Sequence, residues 1–198
     1  SVGNMTITHF NGASYLSLAN DPGLSMTGDM SISLWMDPTA TGSPSSTANW
    51  HQIIGKGSLS GSTEDDNYQL FQIGDKLVFE WNDRVTNTHY QAITQNPVLS
   101  TNWNYVTTSV SGGSIKIYNN GVEQPLVYSQ GVDPRYVTTP VGFPGVRLKS
   151  NTNPVTIGKQ NAPSGSAFYY NGDIGALSLY NRALTPEEIA QNYAGYRA

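Results

Sequence analysis

Apolar and polar side chains alternate through much of this chain, and alternation over short runs predicts strands. The cleanest run is Met30-Ser-Ile-Ser-Leu-Trp-Met36, which sets Met30, Ile32, Leu34 and Met36 on one face. Trp35 falls on the other face, so cover is expected on both sides of this strand. Met5-Thr-Ile-Thr-His-Phe10 predicts a first strand, and Asn11-Gly12 turns the chain before Tyr15-Leu-Ser-Leu18. Gln52–Lys56 and Thr88–Thr94 read as further strands. Tyr68–Ile73 and Lys76–Trp81 flank Gly74-Asp75, a two-residue hairpin signal. Trp103–Val110 and Ser114–Tyr118 make a second hairpin around Gly112-Gly113, and Asn119-Asn120-Gly121 reverses the chain again through a type I′ turn.

The last thirty residues combine three signals. Ile174, Leu177, Leu179 and Tyr180 predict a largely buried strand with imperfect alternation, and Asn181-Arg182-Ala183 turns the chain. Thr185 then caps a short helix, with Pro186 at its first position and Glu188 completing a capping box. Asp37–Trp50 and Gly57–Asn67 read as loops, the second carrying the acidic triplet Glu64-Asp65-Asp66, expected to be a solvated tip. Tyr128–Asn153, punctuated by Pro134, Pro140 and Pro144, is expected to be an excursion folded over its own domain. The sum is an all-β chain of one domain, residues 1–198: a two-sheet antiparallel sandwich with one short C-terminal helix.

Four of these stretches carry a resemblance. Phe10-Asn-Gly-Ala-Ser-Tyr-Leu-Ser-Leu18, Gly28-Asp-Met-Ser-Ile-Ser-Leu-Trp-Met36, Trp103–Ser109 with Ile115–Gly121, and Gly172–Leu184 followed by Thr185-Pro-Glu-Glu-Ile189 occur in one order along the chain. Together they resemble the laminin G-like (concanavalin A-like lectin/glucanase) domains. The resemblance implies a jelly-roll sandwich in which Trp35 and Trp103 pack the interior. It also implies calcium near the opening turn and the last strand, carried here by Asn11, the backbone of Gly12, and Asp173. Gly175 and Ala176 stand where many relatives place Asp and Glu, which removes two potential ligands.

Composition narrows the function. There is no cysteine, so disulfides, thiolate metal sites and a cysteine nucleophile are excluded. A net charge of −4 without a Lys/Arg cluster argues against nucleic acid. No apolar run reaches the length of a membrane span, and Ser1–Phe10 holds no signal-peptide core. An extracellular, cell-surface or virion-surface setting is expected.

Catalytic patterns are weak. Retaining glucanases need two carboxylates on one strand face, roughly 5–5.5 Å apart. Glu80 and Asp83 are three residues apart and point to opposite faces of a regular strand. His9, His51 and His89 are too scattered for a His-x-x-x-His metal site, and His9 is expected in a strand with its ring hydrogen-bonded. The expected function is a non-catalytic recognition module that binds extracellular or cell-surface glycan through loop aromatics. Aromatic rings stack on sugar C–H faces while amides and charges pair with hydroxyls. The preferred cluster is Trp81-Asn82-Asp83-Arg84, with Trp50, Tyr90, Arg135 and Tyr136 as further candidates. A structural or adhesion domain of a virion or surface protein, contacting other proteins, is the alternative. A polysaccharide-active enzyme is the second.

Overall fold

The structure is a computed structural model, and it describes residues 5–41, 50–60, 63–131, 143–162 and 168–196. In chain order the strands are β1 (Ile7–Asn11), β2 (Leu16–Leu18), β3 (Met30–Pro38), β4 (Trp50–Lys56), β5 (Leu59–Ser60), β6 (Thr63–Glu64), β7 (Tyr68–Ile73) and β8 (Lys76–Asn82). They continue with β9 (His89–Thr94), β10 (Asn104–Ser111), β11 (Ser114–Asn119), β12 (Val122–Gln124), β13 (Leu126–Gln130), β14 (Val155–Ile157) and β15 (Asn171–Tyr180). Among the described residues there is one helix, α1 (Pro186–Gly195), and one 3-10 turn, Pro22–Leu24.

Two large antiparallel sheets form the sandwich. The first runs β1-β15-β3-β10-β11-β12 and the second β13-β9-β8-β7-β4-β14-β2. Their facing sides enclose the main core, with Ile32, Leu34 and Met36 from the first sheet against Leu70, Phe79 and Trp81 from the second. The strands read from alternation are therefore present, and the expected two-sheet architecture is found.

Two local features follow directly from residue chemistry. Asn120 and Gly121 both have positive φ, 53° and 79°, as a type I′ turn requires between β11 and β12. The broken alternation of the last strand has a cause: Ala176 has φ 47°, and the β15–β3 register shifts between Gly175 and Ser178. This bulge inserts a residue, so Ile174 and Leu177 both reach the main core although three positions apart.

The outer face of the first sheet is covered by α1. Trp35 stacks on Tyr193 at 5.7 Å and joins Tyr105, Tyr118, Leu184 and Ile189 in a second buried cluster. The two-sided cover expected for β3 is thus supplied by the helix. Trp103 packs only partly buried against this second cluster, not inside the sandwich. Thr185 accepts from the Glu188 amide and Glu188 from the Thr185 amide, completing the capping box. The long excursion returns in part to its own domain. Phe143 stacks on Tyr128 at 4.6 Å, and Val146 and Leu148 are buried in the main core.

Candidate functional site

The outer face of the second sheet is half apolar and half polar. Trp50, Phe71, Ile73, Val78 and Ile93 form the apolar half with Phe168. Beside it, strand pairing aligns Gln69, Glu80, Gln91 and Ser129 in one row across β7, β8, β9 and β13. All four are buried. Ser129 Oγ donates to Gln91 Oε1 at 2.7 Å, and Gln91 Nε2 donates to Glu80 Oε1 at 2.6 Å.

Asp66 and His89 complete this row into a cluster. His89 Nε2 lies 3.3 Å from Asp66 Oδ2 and 3.7 Å from Glu80 Oε2. Gln69 Nε2 donates to the other oxygen of Asp66 at 2.5 Å. His89 Nδ1 lies 2.9 Å from the carbonyl oxygen of Gly131. A carbonyl only accepts, so Nδ1 carries a hydrogen and Nε2 is the atom turned to the carboxylates. Among the described residues, Asp66, Glu80 and His89 form the one group of His and acidic side chains close enough to share an ion.

The electrostatics reflect burial first. Burial pushes the Asp66 carboxyl up to about 6, against the opposing pull of His89. Burial, then the charges of Asp66 and Glu80, push the nearby Glu64 carboxyl up to about 9. Burial alone would lower the His89 imidazole, but the two carboxylates outweigh it and hold its pKa well above the ordinary value. The expected solvated acidic tip is therefore corrected: Asp66 is fully buried and Glu64 and Asp65 are half-buried, because the loop folds onto β8. Asp66 and Asn82 clasp each other there, Asn82 N donating to Asp66 O and Asp66 N to Asn82 Oδ1.

The preferred ligand cluster is corrected as well. Trp81 is 0 % exposed, with Tyr90 stacked on it at 5.8 Å and Phe143 edge-on at 6.0 Å, so neither ring face is open to a sugar. Asn82 is buried and its amide is spent on Asp66 N and Asn87 O. Asp83 is buried in its turn, accepting from the amides of Val85 and Thr86 and from Arg147 Nε at 2.6 Å. Burial works to raise the Asp83 pKa, but Arg147 and the turn amides prevail and hold it below the ordinary value. Arg84 alone of the four is exposed, at a groove of ≈ 410 Å³ shared with Asp29, Gly112 and Arg147. Trp50 and Tyr90 are buried, Trp50 beneath Phe168 and Phe71. Arg135 and Tyr136 lie outside the described residues.

The residues expected to hold calcium sit at another end of the molecule. Asn11 Oδ1 accepts from the amides of Ala13 and Ser14, so it is engaged in its own turn. Gly12 N donates to Tyr170 O at 3.2 Å. Asp173 Oδ1 is 2.7 Å from His9 Nδ1, so the His9 ring is hydrogen-bonded as expected. Asp173 also pairs across the strand with Asp37, whose pKa is raised by burial and then by the Asp173 charge.

At this same end stands a pair of aromatic rings that strand periodicity did not single out as a site. Tyr15 is 47 % exposed and meets Tyr169 edge-on at 6.4 Å. Lys159 Nζ lies 4.6 Å from the Tyr15 ring centre and 5.7 Å from that of Tyr169. The turn after β1, the segment after β14 and the residues just before β15 bring the three together.

The sequence pattern of the concanavalin A-like lectin/glucanases superfamily matches residues 10–190. The chain belongs to that family. No curated protein matches it significantly. Several solved structures share the fold. The binding domain of Paraclostridial Mosquitocidal Protein 1 is 14% identical, with a TM-score of 0.61 over 99% of this chain and 47% of its own. The receptor binding domain of botulinum neurotoxin mosaic serotype C/D is 13% identical, with a TM-score of 0.64 over 98% and 44%. The binding domain of botulinum neurotoxin serotype G is 13% identical, with a TM-score of 0.59 over 96% and 46%. This chain thus spans about half the length of each.

Proposed function

We propose that this domain is a non-catalytic recognition module that binds extracellular glycan at the corner formed by Tyr15, Tyr169 and Lys159. The observation that carries this reading is the exposed Tyr15 ring, held edge-on to Tyr169 with an ammonium beside both. Ring faces take the C–H side of a pyranose, and Lys159 takes a hydroxyl or a sugar carboxylate. Membership of a lectin and glucanase superfamily supports the reading, as do structural neighbours described as receptor-binding domains. The setting is extracellular or on a cell or virion surface. Calcium belongs to the same proposal: Asp173 and Asp37 lie side by side on paired strands, and a divalent cation would relieve their repulsion.

A glycan array probed with and without chelator tests this. Binding to a defined class of sugar, lost in Tyr15→Ala and weakened in Lys159→Ala, is the expected result. Uniform silence on the array, or signals untouched by both substitutions, would count against it. A second reading, contact with another protein, is favoured by the edge where β1 and β2 meet. Leu16 is exposed there in an apolar groove of ≈ 360 Å³ lined also by Thr8, Ile157 and Leu177, and Ile7 and Leu18 are exposed elsewhere on the same two strands. Self-association or pull-down that Leu16→Asp removes would support that reading instead.

A further inference from the structure

We propose that Asp66, Glu80 and His89 are the protein ligands of a divalent first-row transition-metal ion, with zinc as the representative. The case is geometric. Donor atoms held at about 2.0–2.2 Å around a tetrahedral ion stand roughly 3.3–3.6 Å from one another. His89 Nε2 is 3.3 Å from Asp66 Oδ2 and 3.7 Å from Glu80 Oε2, close to those edges. A charge-assisted N–H···O⁻ bond would be about 2.7–2.9 Å. Nε2 and Oδ2 are both buried and make no hydrogen bond, although His89 is only 8 % exposed and Asp66 not at all. As an ion pair this arrangement is poor. As a set of ligands, its three donor atoms all lie within 4.8 Å of one another.

Each ligand is also held from behind. Gln69 binds one oxygen of Asp66, Gln91 binds one oxygen of Glu80, and the Gly131 carbonyl binds Nδ1 of His89. One donor atom of every side chain is thereby fixed and the other is left facing the common centre. Orienting partners of this kind are what metal-bound imidazoles and carboxylates require. Among the described ion pairs, no Lys or Arg reaches Asp66 or Glu80: Arg147 is taken by Asp83 and Lys149 by Asp65. The donor set of one nitrogen and two oxygens selects the ion. Calcium would demand about six to eight oxygens, whereas imidazole with carboxylate suits zinc, cobalt, nickel or manganese.

The test uses the whole chain, freed of metal by chelator and then given Zn²⁺ or Co²⁺, both as folded protein and during refolding. One ion per chain, a melting temperature raised by several degrees and a Co²⁺ visible band are expected. The imidazole ¹⁵N signals of His89 should shift on Zn²⁺ binding while those of His9 and His51 stay in place. Asp66→Asn, Glu80→Gln and His89→Gln should each weaken binding at least about tenfold. Absence of stoichiometric binding by either route overturns the proposal, as does binding that survives all three substitutions. If those variants do not fold, the ¹⁵N spectrum of the unaltered protein decides: shifts at His9 or His51 instead of His89 overturn it.

Discussion

On the outside of the first sheet, α1 lays Ile189 and Tyr193 over Trp35 and Tyr105, and the polar side chains buried beside them, Ser31, Ser33, Thr107 and Ser109, are neutral. On the outside of the second sheet, Phe168 covers Phe71 beside Trp50, but the adjoining half holds Gln69, Glu80, Gln91, Asp66 and His89 in burial. Both faces bury polar side chains, yet only the second buries carboxylates and an imidazole. The first arrangement is held by packing and by hydroxyl hydrogen bonds, Ser109 Oγ donating to Leu184 O and Leu184 N to Ser31 Oγ. The second leaves Asp66 Oδ2 and His89 Nε2 facing each other at 3.3 Å without a well-formed hydrogen bond, and buried charges are costly unless they are well paired. Two carboxylates and an imidazole brought together in burial are what point to an ion here; among the described residues the helix-covered face offers no such group.

Substitutions separate the two kinds of burial by size of effect. Trp81→Ala and Trp35→Ala should each lower unfolding free energy by about 3–5 kcal/mol, since each removes a fully buried indole. Denaturant titration measures this, and a loss under half that size would mean that the rings are not packed as described. Asp83→Asn should cost about 1.5–3 kcal/mol through the lost charge-assisted bonds to Arg147.

The same residue sets a pH dependence. Its folded pKa lies below the unfolded value of 3.8, so its contribution is present above pH 4 and disappears as pH falls through the folded pKa. Asp83→Asn should flatten this part of the stability profile below pH 4, and an unchanged acid limb would contradict the Asp83–Arg147 pairing. Thr185→Ala should cost about 1 kcal/mol by removing the helix cap. Because α1 roofs Trp35, that small loss should appear as increased exchange of amides in the helix while those of β7–β9 stay protected.

Much of the fold was legible. Alternation places β3, β7, β8 and β10, and the Thr185–Glu188 box marks the helix start. Even the misplaced Trp81 carried its own signal: it shares parity with Leu77 and Phe79, and all three enter the main core. Its position at a strand end suggested exposure, but Phe143, 62 residues further on, closes over it. That contact is invisible to any local rule. The Asp66, Glu80 and His89 cluster was hidden for a similar reason. Its members come from separate segments, and only the register of β7, β8 and β9 aligns their row. Tyr15 and Tyr169 meet across the sandwich edge through the same kind of long-range closure.

The most direct test of the recognition account is a calorimetric titration of the array's strongest glycan into the wild-type domain and Tyr15→Ala, with melting temperatures recorded alongside. The account predicts that the variant melts with the wild type and gives no heat of binding. Full affinity retained by Tyr15→Ala would contradict it.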